Sequence, residues 1–146
     1  MGQEGIEEYG RIEISWPLAE AGQPGEVPWP PADDFAGATI RRMAEEFGIQ
    51  AANKAAWDID LVLRLEAAIA DLGGKETDSG TGLGMRDLGL KVEDMANLHA
   101  AFDRVVGVLA ADSAIPDSAT INAYRIPEGS DYDWPLMESV VLGSRR

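Results

Sequence analysis

The clearest pattern along the chain is an alternation of apolar and polar residues from Gly10 to Leu18. Ile12, Ile14, Trp16 and Leu18 fall on one face, with Arg11, Glu13 and Ser15 on the other. Because successive side chains of a β-strand point to opposite faces, this alternation predicts a half-buried strand. Pro17 near its end indicates either an edge strand or the point where the strand stops, since proline donates no ladder hydrogen bond.

Apolar residues at helical spacing mark two further segments. The first follows Asp33 and Asp34, which can cap a helix, and it ends before Gly48. The second follows Asp94 and has the most regular helical spacing in the chain. The apolar positions of the two segments are Ala36, Ile40, Met43 and Phe47, and Met95, Leu98, Phe102, Val105 and Leu109.

The segment from Ile49 to Gly74 fits two patterns. Alternate residues from Trp57 to Leu65 are apolar, as in a strand, but Leu61, Leu65 and Leu72 also share a helical face. Alanine-rich flanks and the absence of proline or glycine before Gly73 favour a helix. Its apolar side chains lie on more than one face, which is typical of a deeply packed helix or of one that also meets a partner.

The stretch DSGTGLGMRDLGLKV, from Asp78 to Val92, combines glycines with a second alternating run. Met85 to Val92 is predicted to be a strand. If residues 75–79 form a short strand, residues 80–84 join the two as a hairpin loop. Two more strands are predicted at Ala119 to Ile126 and at Leu136 to Leu142.

This element order predicts an α+β fold. The core pattern is βαββαβ, a ferredoxin-like sandwich with a mainly antiparallel sheet and helices on one face. An extra N-terminal helix and a C-terminal strand complete it. We expect a single domain spanning residues 1–146, because this length suits one hydrophobic core. Residues 19–32 form a proline-rich loop, and residues 1–9 are expected to be flexible.

Charge is the strongest global signal. Twelve basic and 26 acidic residues give a formal net charge of −14. Such a field repels nucleic acid and anionic membranes and speeds association with a basic protein, although acidity also serves solubility alone. Direct nucleic-acid binding is not expected, since there is no basic stripe. The chain has no cysteine, for which a reducing cytoplasm is the simplest compartment, and its start does not resemble a signal peptide or a myristoylation signal.

Motifs for chemistry are weak. D-S-G-T at Asp78 to Thr81 matches the aspartic-protease signature only in its letters, because Lys75-Glu76-Thr77 precedes it instead of an apolar strand. The glycine spacing misses both nucleotide-binding patterns. His99 is the only histidine and is predicted to lie on a helix surface. We therefore expect no catalytic residue, no metal site and no cofactor.

Aromatic residues beside acids are the better candidates for function. Trp29 lies in the proline-rich loop, and Asp131, Tyr132, Asp133 and Trp134 follow one another in a late loop. Tyrosine and tryptophan anchor many protein interfaces, and neighbouring acids steer a basic partner. These rings could equally pack onto their own domain. The predicted partner-binding residues are Trp29, Asp58, Asp60, Asp131, Tyr132, Asp133 and Trp134.

The part from Leu65 to Ile126 resembles small bacterial ferredoxin-like proteins, many of them uncharacterised. The resemblance rests on LEAAIADLGG, on the glycine-rich hairpin DSGTGLGMRDLGLKV and on ANLHAAFDRVVGVL. Some of these proteins resemble immunity proteins encoded beside bacterial toxins. The motifs are structural and carry no catalytic residue to this chain.

Two classes of function follow. The first is an acidic, non-enzymatic module that neutralises a basic protein such as a nuclease toxin, as an immunity protein or inhibitor does. A phage-type inhibitor of a host defence complex, acting as a nucleic-acid mimic, would use the same chemistry. The second is a small α+β enzyme or ligand-binding domain with a pocket lined by carboxylates and tryptophans. A homodimer through the apolar face of the helix from Trp57 to Leu72 is a further possibility.

Overall fold

The computed structural model describes residues 8–21, 33–127 and 134–146. Within these ranges the chain is α+β, which confirms the predicted fold class. The strands are β1 (Glu8–Pro17), β2 (Gly74–Gly82), β3 (Met85–Val92), β4 (Thr120–Pro127) and β5 (Leu136–Val141). The α-helices are α1 (Phe35–Phe47), α2 (Ile49–Ile69) and α3 (Leu98–Ala110), and short 3-10 turns lie at Leu18–Glu20, Ala70–Leu72, Met95–Asn97 and Leu142–Arg145.

The chain separates into two compact units. The larger comprises Met1–Gly22 and Leu65–Arg146 and contains the sheet and α3; the smaller is Gln23–Arg64, whose described part, residues 33–64, is mainly helical. Helix α2 begins in the smaller unit and its last turn belongs to the larger one. The single domain expected from the sequence stays a prediction.

The sheet of the larger unit is antiparallel, in the order β2-β3-β1-β4-β5. Strand β1 is its centre, so the edge position that Pro17 could have indicated is wrong. The strand instead ends at Pro17, the other reading of that residue. Register places Ile12 between Leu90 and Ala123, and Ile14 between Leu88 and Ile121. These residues are all nearly or fully buried, so the predicted alternation sets which face of the sheet meets the core.

Helix α3 packs on this buried face. Its apolar positions recur at helical spacing, and Leu98, Phe102, Val105 and Leu109 are all buried. Burying side chains of this size contributes about 1.5–3 kcal/mol each. Gly10 gives α3 room to approach, because a Cβ at this position would lie 2.5 Å from a methyl carbon of Leu98. Asp94 begins the preceding turn and accepts a hydrogen bond from the Ala96 amide at 2.9 Å.

The β2–β3 hairpin is tighter than predicted. Its loop is only Leu83 and Gly84, whose φ angles are 53° and 77°. Gly80 and Gly82, expected in the loop, instead pair with Asp87 and Met85 in the ladder. Two consecutive residues at positive φ are the requirement of a type I′ turn, whose twist matches that of the flanking strands. The predicted loop of residues 80–84 is therefore three residues too long, because residues 80–82 belong to β2.

The helical unit confirms both predicted helices. Asp34 caps α1 by accepting a hydrogen bond from the Gly37 amide at 2.7 Å. Gly48 follows with a φ of 98°, a conformation that glycine adopts without steric cost. Ile40 of α1 and Ala52 of α2 are buried together, with Met43 and Ala44 against them. The ambiguous segment after Gly48 is thus helical through Ile69, as its alanines and lack of proline favoured.

Arg146 closes the open end of α3. Its guanidinium donates to the carbonyl oxygens of Leu109 at 3.1 Å, Ala110 at 3.2 Å, Asp112 at 2.6 Å and Ile115 at 2.8 Å. It also contacts the Asp117 carboxylate at 2.7 Å. The last carbonyls of a helix have no hydrogen-bond donor within the helix and carry partial negative charge. A guanidinium at this position supplies both the donors and a positive charge. The side chain is only 24% exposed.

Replacement of Arg146 tests this cap. Arg146→Ala should lower the free energy of unfolding by about 1.5–3 kcal/mol, because hydrogen bonds to a charged donor are lost. Urea denaturation measures the change. Arg145→Ala is the matched control, since this neighbouring side chain is exposed, and it should stay within about 0.5 kcal/mol of the original chain. Equal stabilities of the two variants would contradict the capping role.

Candidate binding face on the sheet

The sheet has a second face, opposite the one that carries Ile12 and Ile14. We call it the polar face, and its residues follow from the register of the strands. Arg11 lies between Lys91 and Tyr124, and Glu13 lies between Gly89 and Asn122. The polar face comprises Tyr9, Arg11, Glu13 and Ser15 of β1, Asp87, Gly89 and Lys91 of β3, and Asn122 and Tyr124 of β4.

Arg11 is the hub of the polar face. Its Nη1 and Nη2 donate to the two carboxylate oxygens of Asp78 on β2, at 2.8 and 2.9 Å. Its Nε donates to Glu13 at 2.9 Å. Thr77 holds Asp78 from the other side through a hydroxyl hydrogen bond of 2.8 Å. A planar guanidinium matches a carboxylate in this two-bond geometry. The pair therefore fixes the orientation of the two side chains in addition to balancing their charges.

Gly89 makes this pairing possible. Strand β3 lies between β1 and β2, so the Arg11 side chain must cross β3 to reach Asp78. It crosses at Gly89, where a Cβ would lie 2.5 Å from both Arg11 Nη2 and Asp78 Oδ1. Any larger residue would therefore force the Arg11 and Asp78 side chains to move. The glycine serves here as an opening for a side chain and not as a turn residue.

The pairing shifts the pKa of both partners. The hydrogen bond from Arg11 is the main cause that lowers the pKa of Asp78 below its ordinary 3.8, and burial acts in the opposite direction. The hydrogen bond to Asp78 likewise raises the pKa of Arg11. Both groups therefore stay ionised at neutral pH. Asp78 of D-S-G-T is thus an ionised partner of Arg11 and not a protonated acid at neutral pH.

Aromatic rings surround the hub. The Arg11 guanidinium lies 5.7 Å from the centre of the Trp134 ring, within cation–π range. Tyr124 meets Trp134 edge to face, with ring centres 6.1 Å apart. Lys91 Nζ lies 4.5 Å from the ring centre of Tyr9. Trp134 Nε1 is buried and finds no hydrogen-bond acceptor among residues 8–21, 33–127 and 134–146.

The structure describes three of the seven residues that the sequence predicts to bind a partner. Trp29, Asp131, Tyr132 and Asp133 lie outside the described residues. Trp134 lies against the polar face, beside Arg11 and Tyr124. Asp58 and Asp60 belong to the helical unit, where Asp58 is half-buried and Asp60 accepts a hydrogen bond from Arg64 at 2.7 Å. Trp134 is therefore the one predicted residue that the structure joins to a defined cluster within the described ranges.

Sequence reasoning missed the rest of the cluster. The alternation of β1 already assigned Arg11 and Glu13 to the face opposite Ile12 and Ile14. It does not show which strands flank β1, so it does not predict that Asp78 and Tyr124 lie beside Arg11. Gly89 was visible as a glycine within a strand, a position that often marks close approach of another group. That signal could have pointed to a crossing side chain.

His99 lies on the surface of α3, as predicted, with 72% of its side chain exposed. Its Nδ1 lies 2.9 Å from Glu138 of β5, and its Nε2 lies 3.3 Å from Asp103 one helical turn away. The hydrogen bond and charge of Glu138, then the charge of Asp103, raise the pKa of His99 above its ordinary 6.5. The contact ties the edge strand to the helix.

The described ranges contain no group of three or more histidine, cysteine, aspartate or glutamate side chains able to hold a metal ion. None of the helices there is long and apolar enough to cross a membrane.

Comparison with known proteins identifies no family. No family model matches the chain, and no curated protein matches it. Among solved structures it is similar to the GGDEF domain of a Pseudomonas aeruginosa protein, with 11% identity and a TM-score of 0.40, over 86% of this chain and 67% of that one. An overlap of this kind identifies neither the fold nor the activity of this chain.

The opening at Gly89 yields a test through the pKa of Asp78. Gly89→Ala should raise this pKa toward 3.8, because the new methyl group separates Asp78 from Arg11 without changing any charge. Carboxyl carbon chemical shifts followed against pH measure it. Gly80→Ala is the control, since a Cβ there meets nothing within 4 Å, and it should leave the pKa low. An unchanged Asp78 pKa in Gly89→Ala would contradict the crossing geometry.

The same pairing sets a pH dependence. Because the folded pKa of Asp78 lies below its unfolded value, its contribution to stability is present above about pH 4 and disappears as pH falls through the folded pKa. In Gly89→Ala this acid-side loss should be smaller. Urea midpoints between about pH 2 and 6 measure it.

His99 provides a prediction of opposite sign. Its folded pKa is raised, so its contribution to stability is complete below about pH 6.5 and is lost as pH rises through the folded pKa. Glu138→Gln should return the pKa toward 6.5, and Asp103→Asn should lower it less, since Glu138 is the larger cause. Imidazole proton shifts in NMR give the three pKa values. A larger effect of Asp103→Asn would reverse this assignment.

Proposed function

We propose that this chain is an acidic, non-enzymatic module that binds and neutralises a basic protein, in the manner of an immunity protein or inhibitor. The contact would use the polar face around Arg11, Tyr124 and Trp134. Aromatic rings would anchor the partner, and carboxylates would steer its basic groups toward them. Neutralisation would follow from occlusion of the partner's working surface.

One observation carries this proposal: Arg11 is neutralised within the chain, beside aromatic rings, on the polar face of the sheet. Two carboxylates, Glu13 and Asp78, hold its single positive charge. The guanidinium in turn orients Trp134, which contacts Tyr124. Rings held in one orientation lose little conformational freedom on binding, which favours affinity. The cluster as a whole presents negative charge around apolar rings.

The distribution of charge supports a basic partner. Basic side chains elsewhere in the described ranges also lie in ion pairs within the chain, such as Arg41 with Asp33, Arg64 with Asp60, Lys75 with Glu93 and Arg104 with Asp71. With 26 acidic residues against 12 basic ones, internal pairing leaves the excess carboxylates for solvent or a partner. A field of this sign accelerates encounter with a cationic protein.

We also propose that the fold is a ferredoxin-like βαββαβ sandwich with an added helix and an added strand. The order β2-β3-β1-β4 supports it, because the first strand of such a sandwich lies between the third and the fourth. Helix α1 is then the addition before the crossover helix α2. Strand β5 is the addition beside β4.

Affinity capture from the source cells tests the function. The tagged chain should retain a basic protein at about 0.1 M salt and release it near 1 M, since screening shortens from about 10 Å to 3 Å over this range. Trp134→Ala should reduce the amount retained by about tenfold or more. Phe47→Ala is the matched control, because Phe47 is a 70% exposed aromatic residue of the helical unit.

Two results would refute the proposal. One is binding that does not change with salt concentration, which would show that charge attraction does not hold the partner. The other is equal retention of the basic protein by Trp134→Ala and Phe47→Ala, which would show that the polar face is not the contact surface. Circular dichroism of both variants checks that each retains its secondary structure.

A further inference from the structure

The tip of the β2–β3 hairpin combines two unfavourable features. Leu83 adopts a φ of 53°, in the left-handed region, and it is fully exposed, at 105% of its reference area. All residues from Thr77 to Gly84 are exposed. Within the described residues, a Cβ added to Gly80, Gly82 or Gly84 would meet nothing within 4 Å. The tip therefore stands clear of the packed part of the sheet.

Leucine is a poor residue for this position. In the left-handed region its Cβ crowds the following carbonyl oxygen, which is why type I′ turns strongly prefer asparagine or aspartate before glycine. An apolar side chain in water adds a second cost. Packing within the described chain compensates neither cost. Non-glycine residues in such conformations cluster at active sites, ligand clamps and switch regions, where the strain is part of the function.

We propose that Leu83 is an anchor that inserts into an apolar pocket on the basic protein partner; this inference rests on the proposed function. The hairpin would enter first with Leu83. Asp87, exposed on β3 and paired with Gly80 in the ladder, would then meet basic groups at the rim of the pocket. The chain's own charge argues against a second copy as the occupant, because two chains of −14 repel each other.

The strain makes the test decisive, because stability and binding should change in opposite directions. Leu83→Asn keeps the left-handed turn and relieves its strain, so its urea midpoint should rise. The same substitution removes the apolar anchor, so affinity for the partner should fall by about tenfold or more. A residue that matters only for folding would not give this combination. Leu63→Asn is the matched control, because Leu63 is a 58% exposed leucine of the helical unit and its replacement should leave affinity unchanged.

The measurement uses the basic protein retained in the capture experiment, purified and titrated onto each variant. A second probe exploits the absence of cysteine, because Leu83→Cys can be labelled at one site with an environment-sensitive fluorophore. The emission should shift to the blue on addition of the retained protein, as the label leaves water. A label on Ser144→Cys should not shift.

The outcomes separate this inference from the function on which it rests. A higher midpoint with weaker binding in Leu83→Asn, and a blue shift at position 83, support the anchor. Unchanged affinity in Leu83→Asn, or a label that stays in water, overturns the anchor and leaves the binding module intact. A lower midpoint in Leu83→Asn also overturns it, since the turn would not be strained. If the original chain retains no basic protein, the proposed function fails and the anchor fails with it.

Discussion

The position of β1 between β3 and β4 is the constraint on which the sheet unit depends. A central strand must satisfy its backbone hydrogen bonds on both sides, and its side chains must suit two different surfaces. Ile12, Ile14 and Trp16 meet the core beneath α3, while Arg11 and Glu13 stand on the polar face. A slip of one residue would exchange these two sets and bury an arginine and a glutamate. The alternation therefore fixes the register of the neighbouring strands as well as that of β1.

That register brings together residues distant in sequence. Arg11 and Asp78 are 67 positions apart, yet Gly89 leaves them a path across β3. The resulting ion pair fixes the guanidinium on which Trp134 rests. The register of the backbone thus places the residues of the polar face, and the ion pair then fixes the orientation of their side chains. The proposed binding would use a surface already ordered before a partner arrives, which lowers the entropic cost of association.

Much of this architecture could be predicted from the sequence, because the elements depend on local periodicity. The strand at Ile12 to Trp16, the helix with its stripe at Leu98 to Leu109, and the cap at Asp34 all carried their signals locally. The central place of β1 did not, since neighbouring strands come from distant parts of the chain. The turn at Leu83 also escaped prediction, because leucine is rare where φ is positive and the flanking glycines appeared to be better loop residues. Trp134 was predicted from its chemistry, but its contact with Arg11 depends on the register of the sheet.

Both outer strands of the sheet contain one residue more than their neighbours can pair. In β2 the ladder shifts between Glu76 and Asp78, and in β5 it shifts where Ala123 and Tyr124 face Glu138 and Leu136. Each extra residue twists the edge and interrupts the row of outward-facing amide and carbonyl groups. An interrupted row is a poor template for another chain, so the sheet is protected from edge-to-edge aggregation. The irregular edges should thereby keep this protein dispersed at high concentration even where salt has screened its charge.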